Sequence, residues 1–306
     1  MAGVSSPGYS PAQRFFTYAN LAAQLGIIVT GGLVRLTGSG LGCSTWPLCE
    51  PGSFTPVFHE ASTWHPYIEF GNRTLTGVLV IFAAGLLWSL YRQQPERRDM
   101  RPLAIAVMGL IVIQAVVGGI SVWMSLHPGV VGLHMALSLG LVALSALLAY
   151  RLHHGATMQP LARADHLLHM GLALALLLSA ILGVVVTGTG PHSGDATRAM
   201  RFAIDPLVIT RIHSLSAWLV VAVAVVIAIR RMRAAGHWPT PWLTVLFLLA
   251  AQGLLGYIQY ATGLNRGVIL AHMLGSGLLT VAVTWAIADT YTHRAPVEQG
   301  TKSIGG

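Results

Sequence analysis

Apolar residues in this chain gather in eight long runs, near 15–36, 68–91, 102–124, 129–150, 164–187, 207–229, 241–261 and 266–290, separated by short polar stretches. Each run is about 20 residues or more, the length an α-helix needs to cross roughly 30 Å of hydrocarbon. Backbone amides inside lipid must bond within their own segment, so each run is expected to be a helix. The pattern therefore predicts an all-α integral membrane protein with eight transmembrane helices. The N-terminal segment, 1–14, lacks a charged region of the kind that opens a signal peptide, and the first run is a full span, so no cleaved signal is expected. The tail, 291–306, is expected to be cytoplasmic, and its last residues, "APVEQGTKSIGG", read as disordered.

Composition agrees: of 306 residues 54% are hydrophobic and 9% charged. The net charge of +8 raises the question of nucleic acid, and its distribution answers no. Arg92, Arg97, Arg98 and Arg101 follow span 2, Arg151 and Arg163 follow span 4, and Arg230, Arg231 and Arg233 follow span 6. Basic residues in alternate loops are the positive-inside pattern. It predicts a multi-pass protein of the plasma membrane with both termini cytoplasmic, whose partner is the lipid bilayer. Loop 37–67 then lies outside and has no Lys or Arg, while Arg198, Arg201 and Arg266 are exceptions on that side. The loop holds both cysteines, Cys43 and Cys49. In an oxidising compartment two thiols at this spacing, around a turn-forming segment, are expected to close a disulfide. Structural bridge and redox-active pair both remain open, because each needs only exposure and reach.

The chain also resembles itself. "VRLTGSG" (34–40) recurs as "VVVTGTG" (184–190), "IQAVVGGI" in span 3 as "AQGLLGYI" in span 7, and "GVVGLHMALSLGL" in span 4 as "GVILAHMLGSGLL" in span 8. These pairs set Gln114 against Gln252 and His134 against His272; "IEFGNRTL" in span 2 matches "ITRIHSL" in span 6 more loosely. Two pseudo-repeated four-helix bundles in parallel orientation are expected, 15–150 and 164–290, joined by a linker at 151–163.

Ionisable groups inside a bilayer are costly and therefore candidates for function. His134, His213 and His272 lie a turn or two inside spans 4, 6 and 8, at one depth near the outer face. In the second bundle His213 and His272 suit two axial imidazoles on opposite faces of a haem, with no thiol or carboxylate at hand for a zinc or copper set. Arg211 and Arg266 could pair with haem propionates, or simply snorkel to the interface. The first bundle offers His134 together with Glu69, Asn72 and Arg73 of span 2, Glu69 and Asn72 sharing a helix face. A carboxylate beside a histidine suits proton transfer; the alternative is a Glu69–Arg73 ion pair at i,i+4.

With "VRLTGSGLGCSTWPLC", "IEFGNR", "LHM", "RIHS" and "AHM", the chain resembles the haem A synthase family over essentially all eight spans. The resemblance implies an oxidoreductase that converts the C8 methyl of haem O to a formyl group through hydroxylated intermediates. It implies haem b as cofactor on His213 and His272, with Arg211 and Arg266 beside it, and a haem O site in the first bundle. There Glu69, His134 and Asn72 would be catalytic, His134 would reach the substrate iron, and Arg35 and Arg73 would contact the substrate. Haem O synthase and a membrane electron acceptor are the implied partners. One residue departs: the family pattern Glu-x-x-His-Arg has Asn72 at its histidine. A di-haem electron-transfer cytochrome would want two histidines in each half, which Asn72 denies it, and a haem-handling transporter is a further alternative. The prenyl transferase that acts one step earlier needs acid-rich loops, whereas Asp and Glu total ten here and are scattered. A retinal protein needs a lysine within a span, and the only one, Lys302, is in the tail.

Overall fold

A computed structural model describes residues 8–58, 63–93, 95–155, 159–195 and 199–292; Arg198, Lys302 and most of the tail lie outside them. The described residues form eight α-helices: α1 (Pro11–Leu36), α2 (His65–Arg92), α3 (Arg101–Trp123), α4 (Pro128–His154), α5 (Arg163–Thr189), α6 (Pro206–Ala235), α7 (Thr240–Ala261) and α8 (Arg266–Thr292). All eight are long and apolar enough to cross a membrane. Their ends are written in local chemistry. Six carry proline in the first two positions, where the missing N–H costs nothing. Ser10 and Asp205 accept from the first free amides of α1 and α6. At its other end α6 continues through Arg230–Arg233 and stops at Gly236 in the left-handed conformation. α4 likewise runs to His154, so the expected linker at 151–163 narrows to the connection 155–162.

The helices alternate in direction, giving the molecule a disulfide end, which carries loop 37–64, and an arginine-rich end. α1 packs on α2, α2 on α3, α3 on α4, and α4 back on α1, closing a first ring. In the second half α5 packs on α6, α6 on α7 and α7 on α8, while α5 and α8 both pack on α4. α4 is thus a wall of both rings. α1 also meets α8 closely: a Cβ at Gly32 would come 2.9 Å from Leu270 Cδ1, and one at Gly277 2.8 Å from Leu25 Cδ2. Small residues let membrane helices approach this closely. Trp285 Nε1 of α8 donates to Ala146 O of α4 at 2.8 Å.

Three apolar clusters fill the molecule unevenly. One joins α2, α3 and α4 around Leu86, Val107 and Leu148; one joins α5 to α8 around Leu172, Ala224, Trp242 and Ala286; a third lies between the halves around Ile28, Val142 and Val281. The first members from the disulfide end, Leu79 in α2, Leu141 in α4, Val220 in α6 and Leu279 in α8, come about four turns into their helices. The histidines lie in the stretch above them.

Candidate functional site

In the second ring His213, in the second turn of α6, and His272, in the second turn of α8, are half-buried at one level. α7 stands between their helices and packs on both. His213 Nδ1 lies 3.0 Å from Ser179 O of α5, which fixes the ring. The carbonyl of His272 accepts from Gln252 Nε2 at 3.0 Å. Each ring lies over a glycine: a Cβ at Gly183 would come 3.0 Å from His213 Cε1, and one at Gly256 3.8 Å from His272 Cε1. His272 Nδ1 and Gln252 Oε1 are buried without a partner. Two half-buried imidazoles at one level, bare helix backbone beside each and orphaned polar atoms fit a flat, metal-centred ligand with histidine ligation. Among the described residues no group of three or more His, Cys, Asp or Glu forms another metal set. Arg211 and Arg266 are exposed at the disulfide end, on the helices that carry the two histidines.

The first ring repeats part of this arrangement. A Cβ at Gly118 would come 3.3 Å from His134 Cε1, and Gln114 Nε2 donates to His134 O at 3.0 Å and to Ser138 Oγ at 2.6 Å. His134 Nδ1 and Gln114 Oε1 are again buried orphans. Opposite, Asn72 is tied to α1, its Oδ1 accepting from Thr30 Oγ1 at 2.7 Å. Asn72 on α2 bonds to α1 much as His213 on α6 bonds to α5.

Glu69 does form the i,i+4 ion pair with Arg73, one of the two readings its sequence left open. Its Oε1 accepts from Arg73 Nε at 3.0 Å, and its Oε2 accepts from Cys43 N at 2.8 Å. Arg73 Nη1 goes on to Thr45 O at 2.9 Å and Leu48 O at 3.3 Å. The pair therefore clamps the loop that Cys43 and Cys49 close by a disulfide, with Cα atoms 4.5 Å apart. Both cysteines are fully buried. Trp46, inside the loop, lays its ring on Gly119 and meets Trp123 edge-on at 5.5 Å. The loop is a packed roof over the first ring.

Arg35 goes elsewhere: its Nη2 donates to Thr187 O of α5 at 2.6 Å, beside Leu126, Pro128 and Met200, and so joins the two halves at the disulfide end. Two features went unseen in the sequence. One is the Cys43–Glu69 bond, which spans 26 residues and leaves no local signal. The other is a row of buried polar residues on α1, Gln13, Thr17, Asn20 and Gln24, whose three- and four-residue spacing inside an apolar run was the available signal.

The profile of the COX15-CtaA cytochrome oxidase assembly proteins matches residues 14–204. The chain is similar to the haem A synthase of Geobacillus kaustophilus, 26% identical over 95% of this chain and 96% of that protein. It is similar also to that of Bacillus pumilus, 26% identical over 85% and 89%. The haem A synthase of Listeria welshimeri is 34% identical over 40% of each chain. With eight spanning helices and paired histidines already in place, this match shows that the chain belongs to the COX15-CtaA, or haem A synthase, family and is an oxidoreductase of haem A biosynthesis.

Proposed function

We propose that this protein oxidises the C8 methyl of haem O to a formyl group through hydroxylated intermediates, with a haem b held by His213 and His272. The observation that carries the reading is the set of imidazoles above the cluster of α2 to α4 and that of α5 to α8: each ring has an imidazole laid over a glycine, and only the second ring has two. A haem b bound there supplies one-electron redox capacity. Arg211 and Arg266 are proposed to pair with its carboxylates, which would explain arginines at the end where the charge pattern disfavours them.

Haem O is assigned to the first ring. His134 is the imidazole this ring presents to it, and Asn72, a poor iron ligand held by Thr30, leaves the opposite side open. Glu69 and Arg73 act as positioning residues that hold the disulfide loop over the substrate and close the site to bulk solvent from that side. Arg35, through Thr187, holds the first ring against the second. Reading the arginine-rich end as cytoplasmic puts both termini on the cytoplasmic side of the plasma membrane and the roofed sites near its outer face. Haem O synthase would hand over the substrate, and a membrane electron acceptor would receive the electrons.

The test is turnover of purified protein supplied with haem O, followed by mass spectrometry of extracted haems. Hydroxylated haem O and then haem A should appear, with haem b unconsumed. Protein that carries two equivalent haem b groups and leaves haem O unchanged would instead be an electron-transfer cytochrome.

A further inference from the structure

Gln13, Thr17, Asn20 and Gln24 of α1 are buried and follow one another at three- and four-residue steps, so they share a helix face. That face turns toward α3 and α4. Gln13 Nε2 lies 3.4 Å from Met100 Sδ, just before α3, and Asn20 Nδ2 donates to Ser145 Oγ at 2.8 Å. On α4, Ser145, Ser138 and His134 share a face in turn, and Gln114 bonds Ser138. His134 to Ser145 covers about 16 Å along the helix and Asn20 to Gln13 about 10 Å more, together close to the roughly 30 Å hydrocarbon thickness. One end of this line is the substrate histidine. At the other, the amide of Gln13 donates to Ser10 Oγ, which donates to Gln93 Oε1 at the exposed arginine-rich end.

Four atoms on this face are buried with no partner: Gln13 Oε1, Thr17 Oγ1, Asn20 Oδ1 and Gln24 Nε2. Each would cost about 1–3 kcal/mol if left dry, and native interiors leave few such groups unpaired. Internal water is the usual remedy, one molecule bonding two to four groups.

We propose that this line is a chain of internal waters that carries protons between the haem O site and the arginine-rich face. The proposal rests on the haem O reading above. Converting R–CH2OH to R–CHO breaks one C–H and one O–H bond, forms the C=O bond, and releases two protons and two electrons. The electrons pass to the one-electron acceptor, and the protons leave along the line, since the clamped loop roofs the other side. Neutral amides and hydroxyls suit this role: they orient water without trapping a proton.

The experiment compares the full-length holoprotein with a variant whose α1 face is apolar, Gln13→Leu, Thr17→Val, Asn20→Leu and Gln24→Leu. Hydroxyl-radical footprinting reads the water directly, because Met100 is fully buried and is oxidised only if water stands beside it. Wild type should be labelled at Met100, and the variant only at background. The variant should keep its haem b content and its haem O binding spectrum, while turnover at saturating haem O falls on the order of 10²-fold, as for a lost proton-transfer group. Asn20→Gln, which keeps a polar group, should stay near wild type. A Met100 that is unlabelled in wild type, or an apolar variant with unchanged turnover, overturns the proposal. Should the fourfold variant not accumulate, Thr17→Val and Gln24→Leu singly give the same reading. If wild type does not convert haem O at all, the functional reading fails on its own, and the water line stands or falls by Met100.

Discussion

Replacing Glu69 by glutamine removes one charge and one of the two acceptor oxygens. Oε2 holds the Cys43 amide at 2.8 Å and Oε1 holds Arg73, so a carboxamide can serve one of these donors but must turn its NH2 toward the other. An unpaired buried donor costs about 1–3 kcal/mol, and breaking a buried ion pair on one side about 3–5 kcal/mol. Taking about 3 kcal/mol for the overlapping sum, the closed loop loses roughly 10²-fold in population relative to the open one. Because both cysteines are fully buried, a reductant reaches the disulfide only when the loop opens. The rate at which a charged phosphine reduces Cys43–Cys49 therefore measures the open fraction, and it should rise by on the order of 10²-fold while turnover falls in parallel. Arg73→Gln should behave alike, since Arg73 also holds Thr45 and Leu48. The double variant should be no worse than the more severe single one, as for two partners in one interaction. The reasoning is refuted if Glu69→Gln lowers turnover with an unchanged reduction rate while Arg73→Gln stays active. In that case the carboxylate is itself the proton acceptor.

Three further outcomes follow from the geometry. Removing an axial ligand changes the spin state of a bis-histidine haem, so His213→Ala or His272→Ala should abolish the low-spin absorption and EPR signature; an unchanged spectrum in both would remove the ligand assignment. Gly183→Ala places a methyl 3.0 Å from His213 Cε1, whereas Gly256→Ala meets His272 at an ordinary 3.8 Å; the first should lower haem b occupancy and the second preserve it, though both gain about 1 kcal/mol of helix propensity. Asn72→Leu leaves the Thr30 hydroxyl only its longer bond to Ile27 O at 3.3 Å and should cost about 0.5–1.5 kcal/mol in a thermal melt, while Asn72→His should fold and add a ligand, visible as a shifted spectrum of bound haem O.

Much of the architecture could be read from hydropathy alone, because lipid forces each span to be long, apolar and helical. Every expected span met a helix, and the ends moved by a few residues where polar residues such as Arg230–Arg233 extend a helix beyond the hydrocarbon. The histidines were legible because a titratable group stands out in an apolar run. The packing partners were not. Large apolar residues such as Phe247, Leu215 and Leu174 are exposed on the helix surfaces, so in lipid an outward leucine and an inward one look alike in sequence. Nor could spacing tell whether Glu69 meets a substrate or the Cys43 amide, since that contact is made by a loop folding back. The polar face of α1 was written plainly, but it offers no charge and so drew no notice.

The sharing of α4 gives the two halves unequal rank. A cut in the connection 155–162 would leave the first ring with all four of its walls, but would strip the second of the surface on which α5 and α8 both close. The two halves are therefore not interchangeable. The first ring closes on its own helices and the second closes only against α4, so the histidine pair at 213 and 272 is assembled on a scaffold that the first half supplies. Order of synthesis suits this arrangement, for the ribosome delivers the independent half first and the dependent half onto it.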